Sequence, residues 1–304
     1  MLRIGTRGSK LALTQAFWVR DQIARRHPGC SLEMQIIKTS ADKDALAPIR
    51  SASGRGVFVR EIEEALIAGE IDLAVHSMKD MPTRVPEHLQ ISVIPIREDA
   101  RDALLSSRPT EELLTLPNGA VVGTGSVRRQ AQILAVRPDL SVRDIRGNVD
   151  TRIQKLASRE FDAIILACAG LNRLGLKDRI SSSLEFGQML PAPGQGALAL
   201  ETRRDDTPIV DMVSFLNHLP TCKAVQAERA FLRWMGGGCN SPIAVHAFQE
   251  NGMMKIEGLV ATPDGKRVIR ESVKGPVDLA EESACSLADT ILCRGGTEIL
   301  QSLG

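Results

Sequence analysis

Two rhythms alternate along this chain. Short apolar runs, bounded by glycine or polar residues, are followed by stretches whose apolar positions recur at helical spacing. The run LRIGT (2–6) reads as a strand. KLALTQAFWVRDQIARR follows it, with Ala12, Ala16, Val19 and Ile23 spaced for one helix face and Ser9 placed as its N-cap. After His27-Pro28-Gly29, SLEMQIIKTS (31–40) reads as the next strand, and such a strand–helix–strand unit predicts a parallel sheet. The rhythm returns later. AVVGTGSVRRQAQILAV (120–136) is strand, turn and helix, SVRDIRGN (141–148) a strand, VDTRIQKLAS (149–158) a helix and FDAIILACAG (161–170) a buried strand. IGTRGS at 4–9 and VGTGS at 122–126 each end a strand, turn on glycine and bring serine to a helix start, with arginine beside it. The pattern predicts two related α/β halves facing each other.

Between these stretches, GVFVREIEEALIAGE predicts a helix built on Phe58, Ile62, Ala65 and Leu66 that stops near Gly69. The strand IDLAVHSM (71–78) then runs into Lys79 and Asp80. REDARDALLSS (97–107) reads as a crossover, and QMLPAPGQGALALE (188–201) as a crossing back. From about Pro220 the pattern changes. TCKAVQAERAFLRWM predicts a helix with Ala224, Ala227, Phe231 and Trp234 on one face. SPIAVHAF, MKIEGLVA and KRVIRESV are strands, the last two joined by a turn at Pro263-Asp264-Gly265, and VDLAEESACSLADTIL closes as a helix. An antiparallel sheet with helices makes a small third domain. The expected domains are 1–96 with 194–216, then 97–193, then 217–304.

Composition narrows the function. With 43% hydrophobic and 25% charged residues in 304, the chain is an ordinary globular protein. A net charge of +1, 3% aromatics and no tyrosine leave neither a basic field nor stacking platforms for nucleic acid. No secretory signal and no membrane-length apolar run are expected. The 6 cysteines form no CxxC pair and the 5 histidines are scattered, so free thiols in the reducing cytosol and no metal site are expected.

Candidate chemistry sits where ligands of open α/β sheets bind, beyond the carboxyl ends of the strands. Arg7 and Ser9 follow the first strand, Lys79 and Asp80 follow IDLAVHSM, and Ser126, Arg128 and Arg129 follow AVVGT. Arg146 and Asn148 follow SVRDI, Arg152 sits one turn into the next helix, and Arg173 follows AIILACAG. Each arginine alone is an ordinary surface residue. Repeated at strand end after strand end, and joined by helix N-termini, they argue for a ligand bearing several carboxylates or phosphates. Arg128 and Arg129 project about 100° apart on a helix and need not share a ligand. Asp80 reads either as a salt-bridge partner or as a fixed carboxylate that stabilises a cationic intermediate while a leaving amine is protonated. No GxxxxGK[ST] and no GxGxxG after a strand is present, which tilts the ligand away from nucleotides. Cys239 follows a glycine run at 236–238 that strips side chains from its approach, suiting a thiol that carries a bulky group; the alternative is a structural cysteine in a turn.

TRGSKLALTQA (6–16), AVHSMKDMP (74–82), VGTGSVRRQAQ (122–132), IRGNVDTR (145–152), AGLNRLGL (169–176), LPAPGQGALALE (190–201) and GGGCNSPIAVHA (236–247) together resemble the porphobilinogen deaminase, or hydroxymethylbilane synthase, family, in order and over the whole chain. The resemblance implies two periplasmic-binding-protein-like doubly wound α/β domains plus a small C-terminal α+β domain. It implies a transferase of porphyrin (haem) biosynthesis that condenses four porphobilinogen molecules head to tail, releasing ammonia, into linear hydroxymethylbilane. It implies a dipyrromethane cofactor held by a thioether to Cys239, a cytoplasmic monomer, and neither nucleic-acid nor membrane partners. Carried over by residue, Asp80 is the catalytic carboxylate; Lys79, Ser126, Arg128, Arg129 and Arg146 serve the cofactor; and Arg7, Ser9, Arg152, Arg173, Gln195 and Arg55 serve the substrate. The chain departs from the family's lysine-bearing loop, reading APIRSASGRGVF at 47–58, with Arg55 keeping the charge and Arg50 offset by one position. The rival reading is a non-catalytic carboxylate-binding protein of the same fold, and a weaker one is a transcriptional effector-binding protein; neither explains GGGC.

Overall fold

The computed structural model describes residues 1–39, 59–108, 111–237 and 241–303. The chain divides into two compact units, Met1–Glu98 with Ala197–Cys222, and Asp99–Gly196 with Lys223–Gly304.

The first unit is built on β1 (Leu2–Thr6), β2 (Leu32–Ile36), β3 (Leu73–Ser77), β4 (Leu89–Val93) and β10 (Leu198–Arg203), in the order β2-β1-β3-β10-β4. Helix α1 (Lys10–Arg26) is capped by Ser9, whose side chain accepts from the Ala12 N–H at 3.3 Å, and it buries Ala16, Val19 and Ile23. Helix α2 (Arg60–Ile67) buries Ile62, Ala65 and Leu66 and stops before Gly69, whose φ of +70° is the left-handed value that glycine adopts without strain. Because side chains alternate along a strand, Leu73 and Val75 pack with α1 on one face while Ala74 packs with α2 on the other. Helix α6 (Thr207–Val213) adds Val213 to the α1 side. The sheet is therefore wound on both faces.

The second unit repeats the plan. Its strands β5 (Asp102–Ser106), β6 (Val121–Gly123), β7 (Ser141–Arg143), β8 (Ala163–Ala167) and β9 (Ser182–Leu184) lie in the order β7-β6-β8-β5-β9. Helix α3 (Val127–Val136) is capped by Ser126, and α4 (Val149–Ala157) and α5 (Cys168–Arg173) follow β7 and β8. Ile133 joins Leu104, Val122 and Ile165 on one face, and Leu156 joins Ala103, Ile164 and Leu166 on the other.

Both sheets differ from the expected parallel arrangement. β1 is parallel to β2 and β3, but β10 is antiparallel to β3 and β4; β6 is parallel to β7 and β8, but β5 is antiparallel to β8 and β9. The segment read as a crossover holds β5, and the crossing back ends in β10. A short apolar run such as DALLS has no periodicity to mark it as a strand.

The same unit carries an antiparallel sheet of β11 (Ile243–Glu250), β12 (Met253–Ala261) and β13 (Val268–Pro276), as the alternation predicts. Helices α7 (Leu219–Trp234) and α8 (Ala280–Ile291) bring Ala227, Phe231, Ala284 and Leu287 onto Val245 and Ile256, and a short α9 (Thr297–Gln301) ends the chain. Trp234 departs from the expected buried face: it is 52% exposed, and its indole N–H donates to Asp289 at 2.6 Å. Ala131 and Leu190 share a small core with Ala244 and Leu259, joining this sheet to the second one.

Candidate functional site

In the first unit, the chain leaves β1 through Arg7 to the cap Ser9, and leaves β3 into a single 3-10 turn, Met78–Asp80, that carries Lys79 and Asp80. The two exits meet at a cavity of about 70 Å³ bordered by Arg7, Ser9, Gln15, His76, Ser77 and Asp80. Gln15 fixes one wall by donating from Nε2 to Ser77 Oγ at 3.1 Å. Asp80 and Lys79 are half-buried. A buried pair lies behind this wall: His76 Nε2 is 3.1 Å from Glu201 Oε2, and both side chains are almost fully enclosed.

The second unit gathers its cations around a residue that the sequence patterns do not single out. Asp102 opens β5 and, because β5 is antiparallel, pairs with Ala167 at the carboxyl end of β8. Its carboxylate accepts from Arg128 Nη1 at 2.8 Å, from Arg129 Nε and Nη2 at 3.1 and 2.7 Å, and from Gln195 Nε2 at 2.8 Å. Arg128 also donates to the Leu190 carbonyl at 2.6 Å and Arg129 to the Ile165 carbonyl at 3.0 Å. The two adjacent arginines thus share one internal carboxylate despite their angular separation. Burial by itself would raise the Asp102 carboxyl, but the charges of Arg128 and Arg129 hold it well below the usual carboxylate range. The only forewarning in sequence is an aspartate at the head of an apolar run, and that is a weak signal.

Around this hub, Ser126 Oγ accepts from the Arg129 N–H at 3.4 Å. Arg146 pairs with Asp144 at 2.6 Å, and Arg152 donates to the Gly147 carbonyl at 2.8 Å. Arg173 donates to the Gly196 carbonyl at 2.8 Å, and Asn148 stands exposed as the N-cap residue of α4. The local charge is positive. Burial, then the neighbouring Arg129 and Arg146 guanidinium groups, pull Arg152 down to about 10 against the opposing Asp144. A second buried carboxylate, Glu228, accepts from the backbone N–H groups of Gly194 at 2.7 Å and Ala247 at 2.8 Å, pinning the glycine-rich turn beside Gln195. It too escapes a reading by sequence pattern, since it lies within an ordinary amphipathic helix. Cys239 and Arg55 lie outside the described residues.

The family model for the porphobilinogen deaminase dipyromethane cofactor binding domain matches residues 2–211, and the model for the porphobilinogen deaminase C-terminal domain matches 222–293. The chain belongs to the porphobilinogen deaminase family. It is 50% identical over 299 residues to the porphobilinogen deaminase of Geobacter metallireducens, covering 98% of this chain and 93% of that protein. It is 48% identical over 301 residues to that of Thermus thermophilus, covering 99% and 98%. An ancestral cationic amino acid solute binding protein of solved structure aligns at a TM-score of 0.43, with 15% identity over 71% of this chain and 87% of its own. Family membership makes the chain a transferase of tetrapyrrole biosynthesis with a dipyrromethane-binding domain, and it sets aside the non-catalytic anion-binding reading. Among the described residues, no helix is long and apolar enough to cross a membrane. The residues present fit the cofactor: Arg152 is pulled down by burial and then by the nearby Arg129 and Arg146, and a group bearing several carboxylates answers both.

Proposed function

We propose that this chain condenses porphobilinogen head to tail into hydroxymethylbilane, with Asp80 acting at the reacting atoms and Cys239 anchoring the dipyrromethane. The observation that carries the reading is the concentration of guanidinium groups around Asp102, with Arg152 drawn down to about 10 by burial first and then by Arg129 and Arg146. Porphobilinogen bears an acetate and a propionate, so every added unit brings two more carboxylates to be held. Arg128, Arg129 and Arg146, with Ser126 and Lys79, hold carboxylates of the cofactor. Arg7, Ser9, Arg152, Arg173 and Gln195 orient the incoming substrate, with Arg55 supplying a further cation from the loop. When bound, the dipyrromethane supplies the free pyrrole carbon from which the chain grows.

Asp80 has a distinct task. As ammonia leaves porphobilinogen, positive charge develops on its pyrrole nitrogen, and a fixed carboxylate facing that N–H lowers the barrier. The half-buried setting of Asp80, on a short turn at the rim of a polar cavity, supports that role. The division into domains 1–96 with 194–216, 97–193 and 217–304 belongs to the same reading and is supported by the separate sheets. So do a monomeric state and a place in the cytoplasm, which follow from the resemblance. Asp80→Ala is expected to lower kcat by about 10²- to 10⁴-fold, the usual span of a positioned acid–base or charge-stabilising group, with an unchanged thermal midpoint. A near-normal rate would remove Asp80 from the chemistry.

A further inference from the structure

A buried proton-holding cluster stands behind the Asp80 cavity, on the face of the first sheet covered by α2. His76 is 4% exposed and borders the cavity together with Asp80. Its Nε2 lies 3.1 Å from Glu201 Oε2, and Glu201 is wholly buried. An ionised carboxylate only accepts hydrogen bonds, so Glu201 selects the tautomer with the proton on Nε2 and leaves the Nδ1 lone pair as the basic position. The other Glu201 oxygen, Oε1, is buried and has no hydrogen-bond partner among the described residues, and the same holds for Oε1 of Glu63. Burial, then the Glu201 charge, push Glu63 up to about 7, with His76 opposing and Glu64 adding to the rise. The groups that face His76 are Glu201 from β10 and Glu63 from α2, with Arg7 and Asp80 at the cavity. Beside the His76–Glu201 pair, Glu63 can take up a proton near neutral pH.

Resting on the reading of Asp80 given above, we infer that His76, backed by Glu201, is the proton relay that serves Asp80. The chemistry requires such a place. Each condensation breaks one C–N bond and one pyrrole C–H bond and forms one C–C bond. The ammonium group of porphobilinogen leaves as ammonia, and the C–H proton is displaced only after the C–C bond has formed, so a group at the site must take up that proton. Asp80 is committed to the developing positive charge. After the C–C bond has formed, the C–H proton passes by way of the cavity to His76 Nδ1, Glu201 balances the resulting imidazolium, and the proton is then given up to solvent, where it joins the departed ammonia as ammonium. His76 acts through Asp80 and is a positioning and relay residue; it is not assigned contact with substrate.

The test measures kcat and KM for porphobilinogen against pH in cofactor-loaded His76→Gln, Glu201→Gln and Asp80→Asn, with loading checked by intact mass. His76→Gln is expected to lose about 10²-fold in kcat at unchanged KM and to lose the acidic limb of the profile. Glu201→Gln is expected to move that limb to lower pH, because a carboxylate partner favours the charged imidazole. The His76 imidazole resonance, followed by NMR against pH in the resting protein, is expected to move in the same direction. Unmoved limbs in both variants, with Asp80→Asn inactive, overturn the relay and leave the role of Asp80 standing. An active Asp80→Asn overturns that role itself. Should His76→Gln fail to fold, the limb and the resonance in Glu201→Gln decide the matter.

Discussion

Asp102 shows how one buried carboxylate can fix two neighbouring arginines. Its carboxylate, with Arg128 and Arg129, forms a buried group of one anion and two cations, each side chain less than a tenth exposed. Removing one partner of a buried charge group leaves the other uncompensated, at a cost of about 3–5 kcal/mol. Asp102→Asn keeps the shape, but it removes the charge that offsets the guanidinium pair and puts a donating NH2 where an oxygen accepted from arginine. It is expected to lower the unfolding free energy by an amount in that range in denaturant titration, and wild-type stability would show that the arginines do not depend on it. The same scale separates the cysteines. Burial pushes the Cys168 thiol up to about 11, making it a poor nucleophile and a poor candidate for attachment.

At the scale of elements, helical periodicity and caps were legible because they are local. Ser9 and Ser126 cap the helices as their positions suggest, and Gly69 ends α2. Mixed strand direction was not legible. β4 and β5 are short apolar runs, and their direction is set by tertiary pairing that no local pattern encodes. The cationic strand ends were visible from residue type and placement. The hub Asp102 and the pair His76–Glu201 were not, since each links residues distant in sequence and becomes a site only when strands pair. Trp234 misled because helical spacing marks a face and cannot say how far that face is covered. In the small antiparallel sheet, Gly258 has a steric reason: a Cβ there would lie 2.5 Å from Phe231 Cζ. Phe231 is fully buried, so the ring cannot swing aside freely. Gly258→Ala is expected to cost about 1–3 kcal/mol by overpacking, read as a lowered thermal midpoint, and an unchanged midpoint would mean that the core relaxes around the added methyl.

At the scale of the molecule, two sheets share one strand order but differ in chemistry at equivalent positions. The strand that returns antiparallel opens with Leu198 opposite Ser77 in one sheet and with Asp102 opposite Ala167 in the other. The sheet with the aspartate gathers Arg128 and Arg129 around that carboxylate. The sheet with the leucine runs on from β3 into the turn that carries Lys79 and Asp80. On the function proposed above, the chain grows on a pyrrole anchored at Cys239. The most direct measurement is the intact mass of the purified protein before and after incubation with porphobilinogen, followed by peptide mapping. A mass excess of two linked pyrroles on the peptide holding Cys239, rising by one pyrrole unit with each condensation, is expected. A Cys239 that stays bare after incubation would contradict it.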